Sequence, residues 1–382
     1  MHVLFFSDIS WNALYQRPQH LATRLARRWP VVWIEPATLH ARAAFSPVSI
    51  GDNLTSLSLP FLPHNARSKP LKVLSRNIGK VALARHMVDR LQASVLNRAF
   101  DSLKIDPDRL GILVENFQFI GLIRQLSPRV TLFDYIDDAF GFTRLPGYVR
   151  EDWKETIRRA DRITATSPTL QRQLEAEGAK DVQVVSNGVE YELFASASGS
   201  RPADLPAGPV VGYIGSVYPW LDYDLIEFIA RSLPEVQVVM VGHAHPEVLG
   251  RLQTLSQLPN FRFLGPRPYK DVPLYLRHFS VALIPFRKTP LTAAVNPVKL
   301  YEQSAAGVPT VATDFSEDLQ ELGSLIGIAD SREEFLALVR SSLSRKNDKD
   351  FTARLRSFAR GHDWDTQAGR IIALLEERIT QH

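Results

Sequence analysis

Three aspartates, Asp134, Asp137 and Asp138, stand at the end of the apolar run Thr131–Phe133. Acids crowded at a strand end resist full ionisation, so one of them can be raised toward a pKa suited to taking a proton from a hydroxyl. A second constellation is Asn296-Pro297-Val298-Lys299, with Glu302 following. Proline suits the first helical turn because its missing N–H would be unpaired there, and asparagine is a good cap. A helix beginning near 297 turns free N–H groups and its positive end toward whatever precedes it, which suits a diphosphate, and Lys299 adds a full charge. Glu302, three residues on, shares the face of Lys299. Blander readings stay open: acid clusters also cap and turn chains, and the second group also fits a capped surface helix with an i,i+3 ion pair.

Smaller signals lie nearby. Gly215-Ser216 follows a strand-type run and lets a backbone approach a phosphate closely, or forms a plain turn. Arg287 and Lys288 follow the run ending Ile284-Pro285-Phe286, on the side expected for Lys299, and offer charge to phosphates or a carboxylate. His243 follows Val241-Gly242 and also reads as a surface-loop histidine. Asp222-Tyr223-Asp224 has the spacing of a metal motif but falls at a helix start, where Asp222 reads as an N-cap and Asp224 as first-turn stabilisation. No His/Glu cluster has metal spacing, and no metal is expected.

The elements that must hold these residues alternate. Strand patterns at His2–Ser7, Val31–Glu35, Gly111–Glu115, Thr131–Tyr135 and Ile163–Ser167 are interleaved with helical patterns at Gln19–Trp29 and Val149–Ala160. The pattern restarts after a small, polar stretch, Ala195–Arg201, and the turn Pro206–Pro209. Strands then follow at Val210–Ile214, Val236–Val241, Phe261–Phe263, Ser280–Pro285, Thr310–Ala312 and Ser324–Ile328, with a helix at Asp222–Ser232 and helical pattern over Glu333–Gln381. Such alternation predicts parallel sheets covered on both faces, with ligands at the carboxyl ends of the strands. The expected domains are 1–195, 205–360 and a C-terminal helix, 361–382, packing back on the first. Cores stop growing at roughly 250–300 residues, so 382 residues in two domains is the natural division.

Composition bounds the rest. With no cysteine, disulfides, thiolate metal sites and a cysteine nucleophile are excluded. The start lacks a basic leader and no apolar stretch nears the ~20 residues of a membrane span, so a cytoplasmic protein is expected. The formal charge of +4 is uneven: residues 1–200 hold 25 Lys/Arg against 20 Asp/Glu. The excess concentrates in Arg67, Lys69, Lys72, Arg76, Lys80, Arg85, Arg90 and Arg98, opposed only by Asp89. Apolar residues interleave at helical spacing, so 67–98 reads as a solvated basic helix or as a patch for an anionic membrane surface or a phosphate-bearing lipid. Nucleic acid is disfavoured, because no aromatic residues interleave for stacking on bases.

The stretch Val295–Thr313, reading Asn-Pro-x-Lys, a hydrophobic, an aromatic and Glu, then small residues, Gly, x-Pro and a strand, resembles the nucleotide-sugar motif of GT-B glycosyltransferases. Ser186–Phe194, Gly212–Ser216 and Pro259–Pro266 match the same family in order. Gln16–His20 and Tyr135–Asp138 resemble a subgroup of bacterial polysaccharide enzymes that includes the xanthan glucuronosyltransferase. The resemblance implies an α/β, GT-B architecture: two Rossmann-like domains facing each other across a cleft. It implies transfer of a sugar from a nucleoside diphosphate, UDP favoured, to a polysaccharide or lipid-linked acceptor. Asp137 aligns with the base, and Asp138 stands next. Glu302 falls where the family accepts ribose hydroxyls, among donor-side residues Gly215, Ser216, His243, Arg287, Asn296, Pro297, Val298 and Lys299. Arg267 and Tyr269 fall in the family's base-reading loop. Arg17, Gln19 and His20 stand on the acceptor side, where Trp11 and Tyr15 are candidates for stacking on a sugar. Retaining members carry a glutamate eight residues before position 302; here it is Ala294, which favours inversion. The resemblance leaves two alternatives, a nucleotide-sugar 2-epimerase of the same fold and a catalytically inactive binding subunit.

Overall fold

The computed structural model describes residues 1–37, 45–61, 73, 77–142 and 145–379. The chain forms two compact units, one comprising Met1–Val185 with Gln367–His382 and the other Ser186–Thr366. Each is built on its own sheet.

Among the described residues the first unit holds eight strands: β1 His2–Phe6, β2 Val31–Pro36, β3 Val48–Gly51, β4 Leu54–Leu59, β5 Leu110–Val114, β6 Val130–Tyr135, β7 Arg162–Ala165 and β8 Gln183–Val184. Their order is β3-β4-β2-β1-β5-β6-β7-β8, parallel except for the antiparallel edge pair β3/β4. Central strands such as β5 and β6 are buried on both faces, which is why they read as unbroken apolar runs. Phe5 pairs with Trp33 in register and their rings stack at 5.1 Å. Burying side chains of this size contributes about 2–3 kcal/mol each. From β1 the chain first builds toward β2 and β4, then returns to place β5 on the other flank of β1. The carboxyl ends of β1 and β5 therefore mark a topological switch point, where such sheets hold ligands.

The second unit holds β9 Val210–Ile214, β10 Gln237–Val241, β11 Phe261–Phe263, β12 Val281–Ile284, β13 Thr310–Thr313 and β14 Gly327–Ala329. All six are parallel, in the order β11-β10-β9-β12-β13-β14. Its switch point lies at the ends of β9 and β12.

The division of the chain differs from the sequence expectation at both ends. The expected linker near 195–205 lies inside the second unit. Asn187 N donates to Asn296 Oδ1 at 2.9 Å, and its Nδ2 donates to the Asn296 carbonyl at 2.7 Å. The helix Tyr191–Ala195 buries Tyr191 and Phe194 in the same core as Tyr301 and Ala359. At the other end, Asp363 receives the Tyr191 N–H at 3.0 Å and stays in the second unit. The helix Trp364–Ile379 enters the first unit at Gln367, and Ile371, Leu374 and Leu375 join Leu21, Leu25 and Trp33 in its core. Up to residue 379, the stretch expected to be helical is three helices, Arg332–Arg345, Lys349–Arg360 and Trp364–Ile379.

Candidate functional site

Each unit gathers chemistry at its own switch point. In the first, the helix Arg17–Leu25 opens with Arg17, whose guanidinium grips Asp134 with two bonds: Nε to Oδ2 at 2.9 Å and Nη2 to Oδ1 at 3.0 Å. Both side chains are buried, and Thr164 donates to Asp134 Oδ1 at 2.7 Å. A bidentate pair this dry fixes the end of β6 against the helix after β1. Asp138 is also occupied, since its Oδ1 accepts the Phe140 N–H at 3.0 Å and caps the turn Ala139–Phe142. Among the described residues the Asp137 carboxylate has no hydrogen-bond partner, and it is exposed. It touches water yet is ringed by protein. Desolvation, then the charges of Asp8 and Asp138, push its pKa up to about 7, with Arg17 pulling the other way.

Two acids of this cluster were not singled out in the sequence. Asp8 follows β1, and burial of its carboxyl raises its pKa, although the residue keeps contact with solvent. Glu115 follows β5, is buried, and neither of its carboxyl oxygens has a partner among the described residues. Desolvation first, then Asp134 and Asp8, hold its pKa well above the usual range. Four carboxyls thus gather around one guanidinium, and burial resists the charged form of Glu115. The available signal was an acid directly after an apolar strand run, which Asp8 and Glu115 share with Asp134.

Gln19 and His20 serve the loop rather than an open surface. Gln19 Oε1 accepts from Gln16 N at 3.0 Å, its amide reaches the Trp11 and Leu14 carbonyls, and the side chain is fully buried. His20 is buried edge-on to Tyr15 at 4.6 Å. Trp11 packs edge-on to Trp33 at 5.2 Å.

In the second unit the helix Val298–Ala305 carries Lys299 and Glu302. Lys299 Nζ lies 5.5 Å from the ring centre of Tyr213, on β9, and 5.7 Å from that of Phe286, after β12. Those rings hold the ammonium by cation–π attraction at the switch point. Burial lowers the Lys299 pKa, and Glu302 opposes that. Burial raises the Glu302 pKa, while Lys299 and the Tyr269 hydroxyl pull it down. Gly215 has φ +142°, and a Cβ there would run into Lys299 Cε. Tyr213 donates its hydroxyl to the Ser216 carbonyl at 2.7 Å, which fixes the turn after β9. The backbone and the lysine thus meet as closely as a phosphate-binding turn requires.

The cap differs from the expected one. Pro297 occupies the N-cap position, Val298 opens the helix, and no side chain caps it. Asn296 instead uses Oδ1 for the Asn187 N–H and for the Tyr301 hydroxyl at 3.1 Å. Arg267 is committed elsewhere: it pairs with Asp204 and donates to Tyr275 Oη at 2.8 Å and to the Leu264 carbonyl at 2.7 Å. Those bonds consume the donors a base would need. Lys288 pairs with Asp314 at 2.9 Å, whereas Arg287 and His243 are exposed at strand ends. Asp222 accepts the Leu225 N–H at 3.0 Å as an N-cap, and Asp224 pairs with Arg251.

Of the basic segment, Arg67, Lys69, Lys72 and Arg76 lie outside the described residues. Arg85, on the helix Ala82–Leu103, is turned inward over Tyr148 at 4.7 Å. The same helix exposes Leu83, Met87 and Leu91 at i, i+4 and i+8. Among the described residues no helix is long and apolar enough to cross a membrane.

Residues 208–344 match the family glycosyl transferases group 1. The chain is 31% identical over 218 residues to the putative teichuronic acid biosynthesis glycosyltransferase TuaH of Bacillus subtilis (strain 168), with 55% of each chain aligned. It thus spans about half the length of that curated relative. Among solved structures, sucrose-phosphate synthase of Thermosynechococcus elongatus is similar at a TM-score of 0.73 and 14% identity, covering 100% of both chains. HepE of Anabaena, solved with UDP, is similar at a TM-score of 0.70 and 15% identity, covering 99% of this chain and 100% of its own. At such identities the likeness speaks for the fold, and that fold is GT-B. The group 1 match thus lies inside the second unit, in a chain whose fold is GT-B over its whole length.

Proposed function

We propose that the chain transfers a sugar from a nucleoside diphosphate, UDP favoured, to a hydroxyl of a polysaccharide or lipid-linked acceptor, with inversion and without a metal ion. The observation that carries this reading is Lys299, held between two rings at the start of a helix and against Gly215, with Glu302 three residues on. A lysine and helix N–H groups oppose the charge that grows on a departing diphosphate. Glu302 is the acceptor for the ribose hydroxyls. In the reaction the acceptor oxygen bonds to the anomeric carbon as the bond from that carbon to the diphosphate oxygen breaks. The hydroxyl proton passes to Asp137, and the nucleoside diphosphate leaves with the bonding pair.

Asp137 suits the role because Asp134 and Asp138 are occupied, and because a base near pKa 7 is half ready at neutral pH. The likeness to HepE, solved with UDP, and to TuaH, whose name assigns it to teichuronic acid synthesis, supports the donor and acceptor classes. Leu83, Met87 and Leu91, beside Lys80 and Arg90, support contact with an anionic membrane on its cytoplasmic face.

The test is a thermal-shift series with UDP, GDP and TDP in EDTA, on wild type and Lys299→Ala, followed by transfer assays with the nucleotide that binds. A ligand at 100 times its Kd adds about 2.7 kcal/mol of stability. One nucleotide should stabilise wild type without metal, and the variant far less. Equal stabilisation of both proteins would remove Lys299 from the donor site. Binding without turnover on any acceptor would favour an inactive subunit.

A further inference from the structure

The first unit contains a cavity of about 80 Å³, lined by residues of the helices Ala82–Leu103, Ile120–Ile123 and Gly147–Arg159 and by Phe61 and Gln118. At roughly 10–15 Å³ per water this holds five to eight waters, about the room of one sugar ring.

Among the described residues, the buried polar side-chain atoms of its lining that lack a partner are both acceptors. Arg85 Nη1 donates to the Gly79 carbonyl at 2.7 Å, and Arg124 is paired with Glu155. By contrast, the carboxylates of Asp89 and Asp152 have no hydrogen bond or ion pair among the described residues, and burial raises the pKa of both, that of Asp152 to about 6. Gln92 is 2% exposed; its amide donates to the Pro60 carbonyl at 2.7 Å, while its Oε1 is buried with no partner among the described residues. Gln118 Oε1 is likewise buried and unpaired. Orphaned buried acceptors are costly, and a native fold tolerates several in one place where something else supplies the donors.

Two glycines make the room. A Cβ at Gly121 would run into the Asp89 carboxylate, and one at Gly79 into the Tyr148 hydroxyl. Glycine inside the helix Ile120–Ile123 weakens it relative to alanine, so the space it frees for Asp89 is held against helix propensity.

We propose that this cavity binds one neutral sugar ring, whose hydroxyls donate to Gln92 Oε1, Gln118 Oε1 and the carboxylates of Asp89 and Asp152. The ligand is neutral because two guanidinium groups, Arg85 and Arg124, offset the two carboxylates. It is rich in donors because the buried unpaired atoms it meets, Gln92 Oε1 and Gln118 Oε1, are acceptors. Phe61 offers an apolar wall to the C–H face of the ring. The site does not depend on the transfer reaction.

Saturation-transfer NMR on the full chain tests it with three probes of one shape: methyl β-glucoside, glucosamine and glucuronate. The glucoside should bind in the millimolar range, and neither charged sugar should bind more tightly. Asp89→Asn and Gln92→Met should each weaken the glucoside about tenfold, the loss of one hydrogen bond, while UDP binding stays unchanged. Asp152→Asn, on the opposite helix, serves if either variant fails to melt cooperatively. The proposal falls if the glucoside is silent, if glucosamine alone binds, or if binding survives in every cavity variant.

Discussion

Gly215→Ala and Gly242→Ala look alike in sequence and should behave very differently. Both glycines follow a strand and share an unusual backbone, with φ of +142° and +149°. An alanine at either place carries a conformational strain of about 1–3 kcal/mol. The difference lies in what the new methyl meets. At Gly215 it meets Cε of Lys299, the far end of a flexible chain; at Gly242 it meets the backbone carbonyl of Gly215. Lysine can swing aside, whereas the carbonyl is fixed because the Gly215 N–H is tied to Val241 O at 2.9 Å and the Gly242 N–H to Gly265 O at 2.9 Å. Gly215→Ala should therefore fold, with a Tm lowered by about 2–12 °C at roughly 2–4 °C per kcal/mol. Its lysine, displaced from the Tyr213 and Phe286 rings, should lose a charge-assisted contact of about 1.5–3 kcal/mol, which weakens nucleotide binding about 10–150-fold. Gly242→Ala should be destabilised beyond this, with little folded protein recovered. Thermal melts and calorimetric titration with UDP read both effects. Wild-type nucleotide affinity in a folded Gly215→Ala protein would refute the placement of Lys299 against the turn.

Asp137→Asn should lower kcat about 10²–10⁴-fold in a transfer assay while leaving UDP affinity unchanged, because the proposed reading gives it the proton and assigns the donor to Lys299 and Glu302. Activity should rise with pH through about 7 as Asp137 loses its proton, and the pH–rate profile of kcat/KM should flatten in that variant. The stability effect has the opposite sign. A carboxyl whose folded pKa is raised binds more protons folded than unfolded, so its contribution falls as pH climbs from about 4 to 7, and Asp137→Asn should melt higher than wild type at pH 8. Arg17→Met should cost about 3–5 kcal/mol by thermal melt, because it strands the buried Asp134 charge. The paired change Arg17→Met with Asp134→Asn should recover part of that loss.

The alternating strands and the position of Lys299 were legible because both rest on local chemistry. Apolar runs before a turn mark parallel strands, and a lysine three residues before a glutamate puts both on one helix face whatever the tertiary context. The strands β3 and β4, the first of them at the edge, were missed because Val48–Gly51 and Leu54–Leu59 mix serine, threonine and glycine into short runs. The cap was misassigned for another reason. Asn296 is a good cap in isolation, but Asn187, 109 residues earlier, offers it both an N–H and an amide and so takes it over. The same holds for charge. Nothing local separates Asp134, Asp137 and Asp138, which stand within five residues of one another. They are separated by Arg17, 117 residues away, which takes Asp134, and by the turn at Phe140, which takes Asp138. What remains free is Asp137, and its proton affinity is set by Asp8 and Asp138 and by the protein around it. A sequence therefore announces that acids gather at a strand end, while the fold decides which one stays unpaired. By the same logic Glu115 tests the electrostatics. If it is neutral, Glu115→Gln should leave the pH profile in place. If it is charged, removing that charge should move the acid limb to lower pH.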